Sequence, residues 1–377
     1  MQDPVRDPGA SVWQSTLETV ASRRSIGARF NQAALTAPCA DLAYRLAATK
    51  VFGPAADVVR LQAEFDFGTC DPFWAECIAE YVEHYRIAPA AIPYRAGIDN
   101  VLDPVPAKCR IALFGDWGTG EQPAMNVLMD IDDHEPELLI HLGDIYYSGK
   151  KEECQTRFLD EVKRYQPSPR CLSLCGNHDV YSGGEGYYWL VDQLGQRASY
   201  FAIENESWII IGADTGKNDY ALPARETYLE ASELTWIREK IANAGNKKVI
   251  LLTHHPLFSA YEPTPFDDVN DKLLTQVAGF LPNVTAWIWA HEHRFAAYGP
   301  YLGLQRGRCL GHGAVPVLAA GSDTVRFPEV PVIDVPQPPP VDGYNRNGYA
   351  ILDLDGTVGT VSYYCQGISE PIWTETF

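Results

Sequence analysis

Seven side chains with metal-ligating atoms stand in five short clusters along this chain of 377 residues. They are Asp116 in GDWG, Asp144 and Tyr147 in GDIYY, Asn177 in GNHD, His254 in THHP, and His291 and His293 in AHEH. Two carboxylates, a phenol, an amide carbonyl and three imidazoles are too many donors for one tetrahedral zinc. They are the right number for two metal ions that share a ligand. Asp144 is the natural bridging carboxylate. Two cations about 3.5–4 Å apart can bind a hydroxide at neutral pH and clamp both the entering and leaving oxygens of an in-line displacement. Phosphoryl transfer gains most from such a clamp, because charge develops on its equatorial and leaving oxygens.

Each cluster ends a strand-like apolar run: Ile111–Phe114, Leu138–Leu142, Cys171–Cys175, Val249–Thr253 and Val284–Ala290. In open α/β sheets ligands gather outside the carboxyl ends of strands, where polar loops converge. From Lys108 onward these runs alternate with stretches of helical periodicity at Glu121–Asp132, Glu152–Arg164, Tyr187–Leu194, Glu230–Ala242 and Val269–Gly279. The alternation predicts a layered α/β domain. GYAILDLDG and TVGTVSYYC read as a closing hairpin that turns at Asp355-Gly356. Before it, VRFPEVPVIDVPQPPPVDGYN is too rich in proline for a core element and reads as an extended surface loop beside the site, placed to act as a lid.

Apolar residues at three- and four-residue spacing predict helices over roughly residues 11–86, with Asp71-Pro72 suited to a helix start. The proline-rich stretch 88–106 reads as a linker. The expected division is therefore a helical N-terminal domain with linker, 1–105, and a catalytic domain, 106–377. The apolar faces of the N-terminal helices are expected to pack on that domain; recruitment of a protein partner is the alternative.

Composition sets limits. Residues are 46% apolar, enough for a sizeable core, and the net charge of −19 argues against binding a nucleic-acid duplex. No apolar run reaches the ~18–20 residues of a membrane span, and the N-terminus lacks the pattern of a signal peptide. A cytoplasmic location without membrane insertion is the expectation. Nine cysteines at irregular spacing suggest neither a disulfide framework nor a cysteine-rich zinc site. They read as buried thiols.

In order and content the five clusters resemble those of the calcineurin-like metallophosphoesterases, and more narrowly their purple-acid-phosphatase branch. The common pattern places a His two residues after the first Asp; here Gly118 stands there. The branch compensates with a Tyr three residues after the bridging Asp, the position of Tyr147. The resemblance covers roughly residues 108–315 and the closing hairpin. It implies a two-sheet α/β sandwich with a binuclear metal site at the strand ends. The activity implied is phosphate-ester hydrolysis by a metal-bound hydroxide, most simply of a small phosphomonoester. A phosphodiesterase acting on nucleotides or lipid head groups, or a metal-binding scaffold without catalysis, are the rival readings.

Carried over by residue, the resemblance gives metal one Asp116, Asp144, Tyr147 and His293, and metal two Asp144, Asn177, His254 and His291. The family's His-x-Pro spacing selects His254 rather than His255. His178 would face the substrate phosphate, with Asp179 orienting it. A phenolate ligand, with a free pKa of about 10, calls for a strong Lewis acid, so the pair implied is Fe(III) with a divalent Fe, Zn or Mn ion. Some members carry further His residues after the fourth cluster as proton donors. Here that segment is LFSAYE, leaving Glu262, His178 or His255 for the leaving group. His312 is a secondary candidate near the phosphate, Arg294 reads as structural, and Trp287 and Trp289 read as core.

Overall fold

The computed structural model describes residue 77 and residues 80–87, 89–165, 170–219, 227–264, 267–341 and 343–377. The helices expected before residue 77 lie outside the described residues. Residues 80–87 are helical and end in the π-helical turn Glu83–Ile87. The stretch read as a linker then runs alongside the strand Phe201–Glu204, the Leu102 and Val105 amides donating to the carbonyls of Ala202 (2.9 Å) and Glu204 (3.1 Å). Among the described residues no helix is long and apolar enough to cross a membrane.

In chain order the strands are β1 (Lys108–Phe114), β2 (Leu138–His141), β3 (Arg170–Ser173), β4 (Phe201–Glu204), β5 (Trp208–Gly212), β6 (Lys248–Leu252) and β7 (Ala286–Trp289). They continue with β8 (Phe295–Tyr298), β9 (Gly307–Leu310), β10 (Val332–Ile333), β11 (Gly348–Asp355), β12 (Val358–Cys365) and β13 (Trp373–Thr376). One sheet has the order β13-β12-β11-β1-β2-β3 and the other β10-β8-β9-β7-β6-β5-β4. Each sheet has a parallel centre, β1-β2-β3 in the first and β5-β6-β7-β9 in the second. All five ligand clusters leave the carboxyl ends of strands in these parallel centres. The closing hairpin forms as expected, Asp355 pairing with Val358 across the turn.

The helices are α1 (Gln122–Asp132), α2 (151–165, interrupted by the π-helical turn Cys154–Leu159), α3 (Glu185–Gln193), α4 (Ala231–Ala242) and α5 (Asp271–Val277). α1 opens with a proline in its first turn and buries Ala124, Val127, Leu128 and Ile131, one face at helical spacing. The side chain of Asn270 caps α5 by accepting the Leu273 amide at 3.1 Å.

Three apolar layers result. Ile111, Leu113, Ile140, Leu142 and Leu172 from the first sheet meet Ile210, Ile250, Leu252 and Ile288 from the second. Outside the first sheet, Val127, Leu128 and Phe158 of the helices pack on Ala112, Phe114 and Leu139. Outside the second, Trp236, Ile237 and Leu273 pack on Leu251, Trp287 and Trp289, so both tryptophans are core. Each buried Leu or Ile contributes roughly 1.5–3 kcal/mol relative to exposure. The layer between the sheets therefore fixes how the two halves of the site face one another. Cys109, Cys154, Cys171, Cys175, Cys309 and Cys365 are buried thiols.

The proline-rich segment departs from expectation. Val332–Ile333 pairs with β8 as a short edge strand, the one place in a sheet where a neighbouring proline such as Pro331 is tolerated. Its stem is also pinned, the amides of Ala319 and Asn345 donating to the carbonyls of Gly343 (2.9 Å) and Val317 (2.8 Å).

Candidate metal centre

The register of the parallel strands sets Phe114 beside His141 and His141 beside Ser173, so the loops carrying Asp116, Asp144 and Asn177 emerge side by side. The loops after β6 and β7 approach from the other sheet. Asp116 (φ 53°), Asp144 (φ 73°), His291 (φ 71°) and His293 (φ 39°) all lie in the left-handed region. Residues with a β-carbon rarely adopt that conformation, and its persistence at four clustered donors marks a functional site.

Hydrogen bonds hold the loops in place. Asp116 Oδ2 accepts the amide of His291 at 2.7 Å, and Asp144 Oδ1 accepts that of His178 at 2.9 Å. Asp179 accepts three amides, from Asp144 (3.0 Å), Ile145 (3.0 Å) and Gly176 (2.7 Å). The two loops touch so closely that a β-carbon at Gly176 would overlap Asp144 Oδ1.

The remaining donor atoms gather in two groups. His254 Nδ1 lies 3.0 Å from the Leu142 carbonyl, which can only accept, so the neutral ring turns an unprotonated Nε2 inward. Around that nitrogen stand Asn177 Oδ1 (3.2 Å), His291 Nδ1 (3.2 Å) and Asp144 Oδ2 (3.4 Å). In the second group the Tyr146 hydroxyl lies 2.9 Å from Asp116 Oδ1 and 3.0 Å from His293 Nε2, which is itself 3.3 Å from Asp116 Oδ1. Ligand atoms of Asp116, Asp144 and His254 lie within 4.8 Å of one another, which joins the groups.

These spacings fit metal ions. Donors about 2.1 Å from a common ion, at angles of roughly 90–110°, lie about 3.0–3.4 Å apart. Lone pairs aimed at one another at that distance repel unless a cation or a proton lies between them. In the metal-free protein a proton fills that need at His254. Burial opposes its charge most strongly, but the Asp144 carboxylate, Asp116 and the Leu142 carbonyl together raise the imidazole to about 9. Asp144 is buried too, yet the His254 and His178 rings hold it well below the usual carboxylate range. Burial first, and the Asp116 carboxylate second, push the Tyr146 phenol well above its usual value, so without a cation it keeps its proton and donates it to Asp116.

The phenol in the site is therefore Tyr146 and not Tyr147. Glu153 accepts the amides of Tyr147 (2.7 Å), Ser148 (3.1 Å) and Lys150 (3.0 Å), which sets the course of this loop. The Tyr147 ring lies under the Arg157 guanidinium instead, 5.3 Å away. Gly118 makes the arrangement possible. Its carbonyl accepts the Tyr146 amide at 3.0 Å, and a β-carbon there would come within 2.8 Å of Ile145 Cα.

Three further expectations are revised. Asp179 does not orient the His178 ring; it binds the backbone of the Asp144 loop. The Tyr147 carbonyl, 2.8 Å from Nδ1, orients that ring. His255 is buried with both nitrogens engaged, Nδ1 by Thr215 Oγ1 (3.2 Å) and Nε2 by Asp219 Oδ2 (3.1 Å), so it buttresses the His291 ring 4.5 Å away. Glu262 is half exposed and pairs with Arg294 at 3.6 Å, and Arg294 also donates to the Ser322 carbonyl at 2.8 Å, tying down the segment that leads into the proline-rich loop. His312 is buried beside Phe295 and Gly348, outside both donor groups. Sequence reasoning missed Tyr146, Glu153 and the Thr215–Asp219 pair. The doubled tyrosine of GDIYY was the one available signal.

The calcineurin-like phosphoesterase family model matches residues 109–295. A purple acid phosphatase from yellow lupin (Lupinus luteus) seeds superposes with a TM-score of 0.55 at 13% identity, covering 72% of this chain and 55% of that one. A dimetal phosphatase from Danio rerio gives 0.50 at 12% identity, covering 71% of this chain and 98% of that one. GAP50, the anchor in the inner membrane complex of Plasmodium, gives 0.51 at 12% identity over 72% and 88% of the respective chains. At these identities the likeness is one of fold. No curated protein matches the chain. Through residues 109–295, which hold both donor groups, the chain belongs to the calcineurin-like phosphoesterase family.

Proposed function

We propose that the protein is a binuclear phosphomonoesterase of the acid-phosphatase kind, with Fe(III) and a divalent Fe, Zn or Mn ion. Family membership supports metal-dependent hydrolysis of phosphate esters. The finer reading is carried by one observation, the pair of donor groups joined through Asp116, Asp144 and His254. Asp116, Tyr146 and His293 would hold the first ion; Asn177, His254 and His291 the second, with Asp144 shared. Such ions supply Lewis acidity toward the phosphate and activate water for in-line attack.

The chain's own residues do the rest. His178 stands between the rings of Tyr146 (4.5 Å) and Tyr181 (4.9 Å), with Nε2 3.8 Å from Asp144 Oδ2. Since the Tyr147 carbonyl can only accept, Nδ1 carries the hydrogen and the neutral ring turns a lone pair toward the donor groups. Donation to a phosphate or leaving-group oxygen therefore needs a second proton. Burial lowers this imidazole to about 4. The donor form gains as the medium becomes more acid.

The test is hydrolysis of a chromogenic phosphate monoester and its matching diester by protein reconstituted with iron and a divalent metal, with Asn177→Ala alongside. Monoester preference, lost in the variant, is expected. Diester preference would move the substrate class to nucleotides or lipid head groups. The Plasmodium neighbour's description as an anchor raises a scaffold role. Two bound metals with silence on both substrates would favour it.

A further inference from the structure

An asparagine ligand has a weakness that a carboxylate lacks. Its amide is nearly symmetric in shape, yet one end accepts and the other only donates. Rotated by half a turn, Asn177 would aim an NH2 group at the cation. Something must choose the orientation: a His254 nitrogen that ligates the cation has no hydrogen to donate to Oδ1, and among the described residues no backbone group bonds the Asn177 side chain.

We propose that Tyr181 is the positioning residue that makes this choice. Asn177 Nδ2 donates to the Tyr181 hydroxyl at 2.8 Å, which leaves Oδ1 facing His254 Nε2. Tyr181 follows Asn177 by four positions, and His178–Val180 between them forms one 3-10 turn that brings the two side chains together. The same phenol ring lies 4.9 Å from that of His178, so one side chain sets both a metal donor and the imidazole facing the substrate. Tyr181 is held from outside by the segment before the linker. The Tyr81 ring meets it edge-on at 5.9 Å, and the Tyr85 hydroxyl donates to the Val180 carbonyl at 2.6 Å. Cys77 Sγ donates to the Tyr147 carbonyl at 3.1 Å, the same oxygen that orients His178. Cys77, Tyr81 and Tyr85 thus brace the loops that carry Asn177 and His178.

The proposal rests on Asn177 being a ligand of the second ion. Zn2+ is titrated calorimetrically into the metal-free full-length protein, and bound metal is counted by atomic emission. Tyr181→Phe removes one oxygen and keeps the ring contacts, so the fold is retained. It is expected to weaken the second ion about tenfold, the usual effect of losing a residue that orients a ligand, and to leave the first unchanged. The decisive arm uses Asn177→Asp. A carboxylate offers oxygen from either end, so Tyr181→Phe in that background is expected to change the second affinity less than about threefold. Equal losses in both backgrounds would overturn the proposal, since the effect would then be general loosening. No loss in the Asn177 background would overturn it as well. Wild-type binding of two Zn2+ ions by Asn177→Ala would remove the ligand reading itself and the proposal with it.

Discussion

Asp116 accepts the backbone amide of His291 across the gap between the two sheets, at 2.7 Å. One oxygen of this carboxylate faces Tyr146 and His293, while the other fixes the loop that aims His291 into the opposite donor group. Asp116→Ala should therefore lose both ions, whereas His293→Ala should lose only one. Metal counted by atomic absorption after gel filtration checks this. A single ion retained by Asp116→Ala at wild-type affinity would contradict it.

The two adjacent tyrosines separate by colour. If iron occupies the first position, Tyr146→Phe should abolish the tyrosinate-to-iron absorption band, and Tyr147→Phe should keep it. Activity should fall in the same order, by about a hundredfold or more for Tyr146→Phe, the upper end for removal of a group supporting a metal site. A band that vanishes only in Tyr147→Phe would reverse the assignment.

Gly118→His writes the common family residue back into the chain. It should not restore a ligand, because the β-carbon would press on Ile145 Cα at 2.8 Å and push away the loop that delivers Tyr146. Lower stability and a lost charge-transfer band are expected; a gain in first-ion affinity would refute the reasoning.

Acid should favour the chemistry and weaken the fold. Burial lowers His312 to about 4 and His141 to about 3, each from an ordinary value near 6.5. Between those values and pH 6.5 the unfolded chain binds protons that the folded chain refuses. Their stabilising contribution is complete above pH 6.5 and is lost as the pH falls toward 4 and then 3. At about 1.4 kcal/mol per tenfold change, His312 alone accounts for about 3 kcal/mol. Urea midpoints measured from pH 7 to 4.5 should decline, and His312→Leu should flatten the decline. Rates per folded molecule should rise over the same range as His178 gains its second proton.

The sequence makes the ligand loops legible because each begins where a buried apolar run meets a polar cluster. The doubled tyrosine is not legible in the same way. Spacing selects Tyr147, but the choice between neighbours is made by loop backbone, which Gly118 and Glu153 shape from opposite sides. His255 was misjudged because its partners, Thr215 and Asp219, lie on a segment with no marked motif. Asp179 was misjudged because a carboxylate beside a catalytic His suggests a side-chain contact, whereas three amides claim it. Strands such as β4 and β9 escaped notice because runs of four residues carry too little periodicity to distinguish strand from helix.

The donors are divided between two sheets that touch through a single apolar layer, so the site works like the tips of a pair of jaws. Its span is set by the bite of Leu113, Ile140 and Leu172 against Ile210, Ile250 and Ile288, well behind the tips. Close-packed interiors transmit a lost methylene as a shift of their surroundings. Trimming these hinge-side residues would therefore retune the gap between the two donor groups without altering a single residue in either.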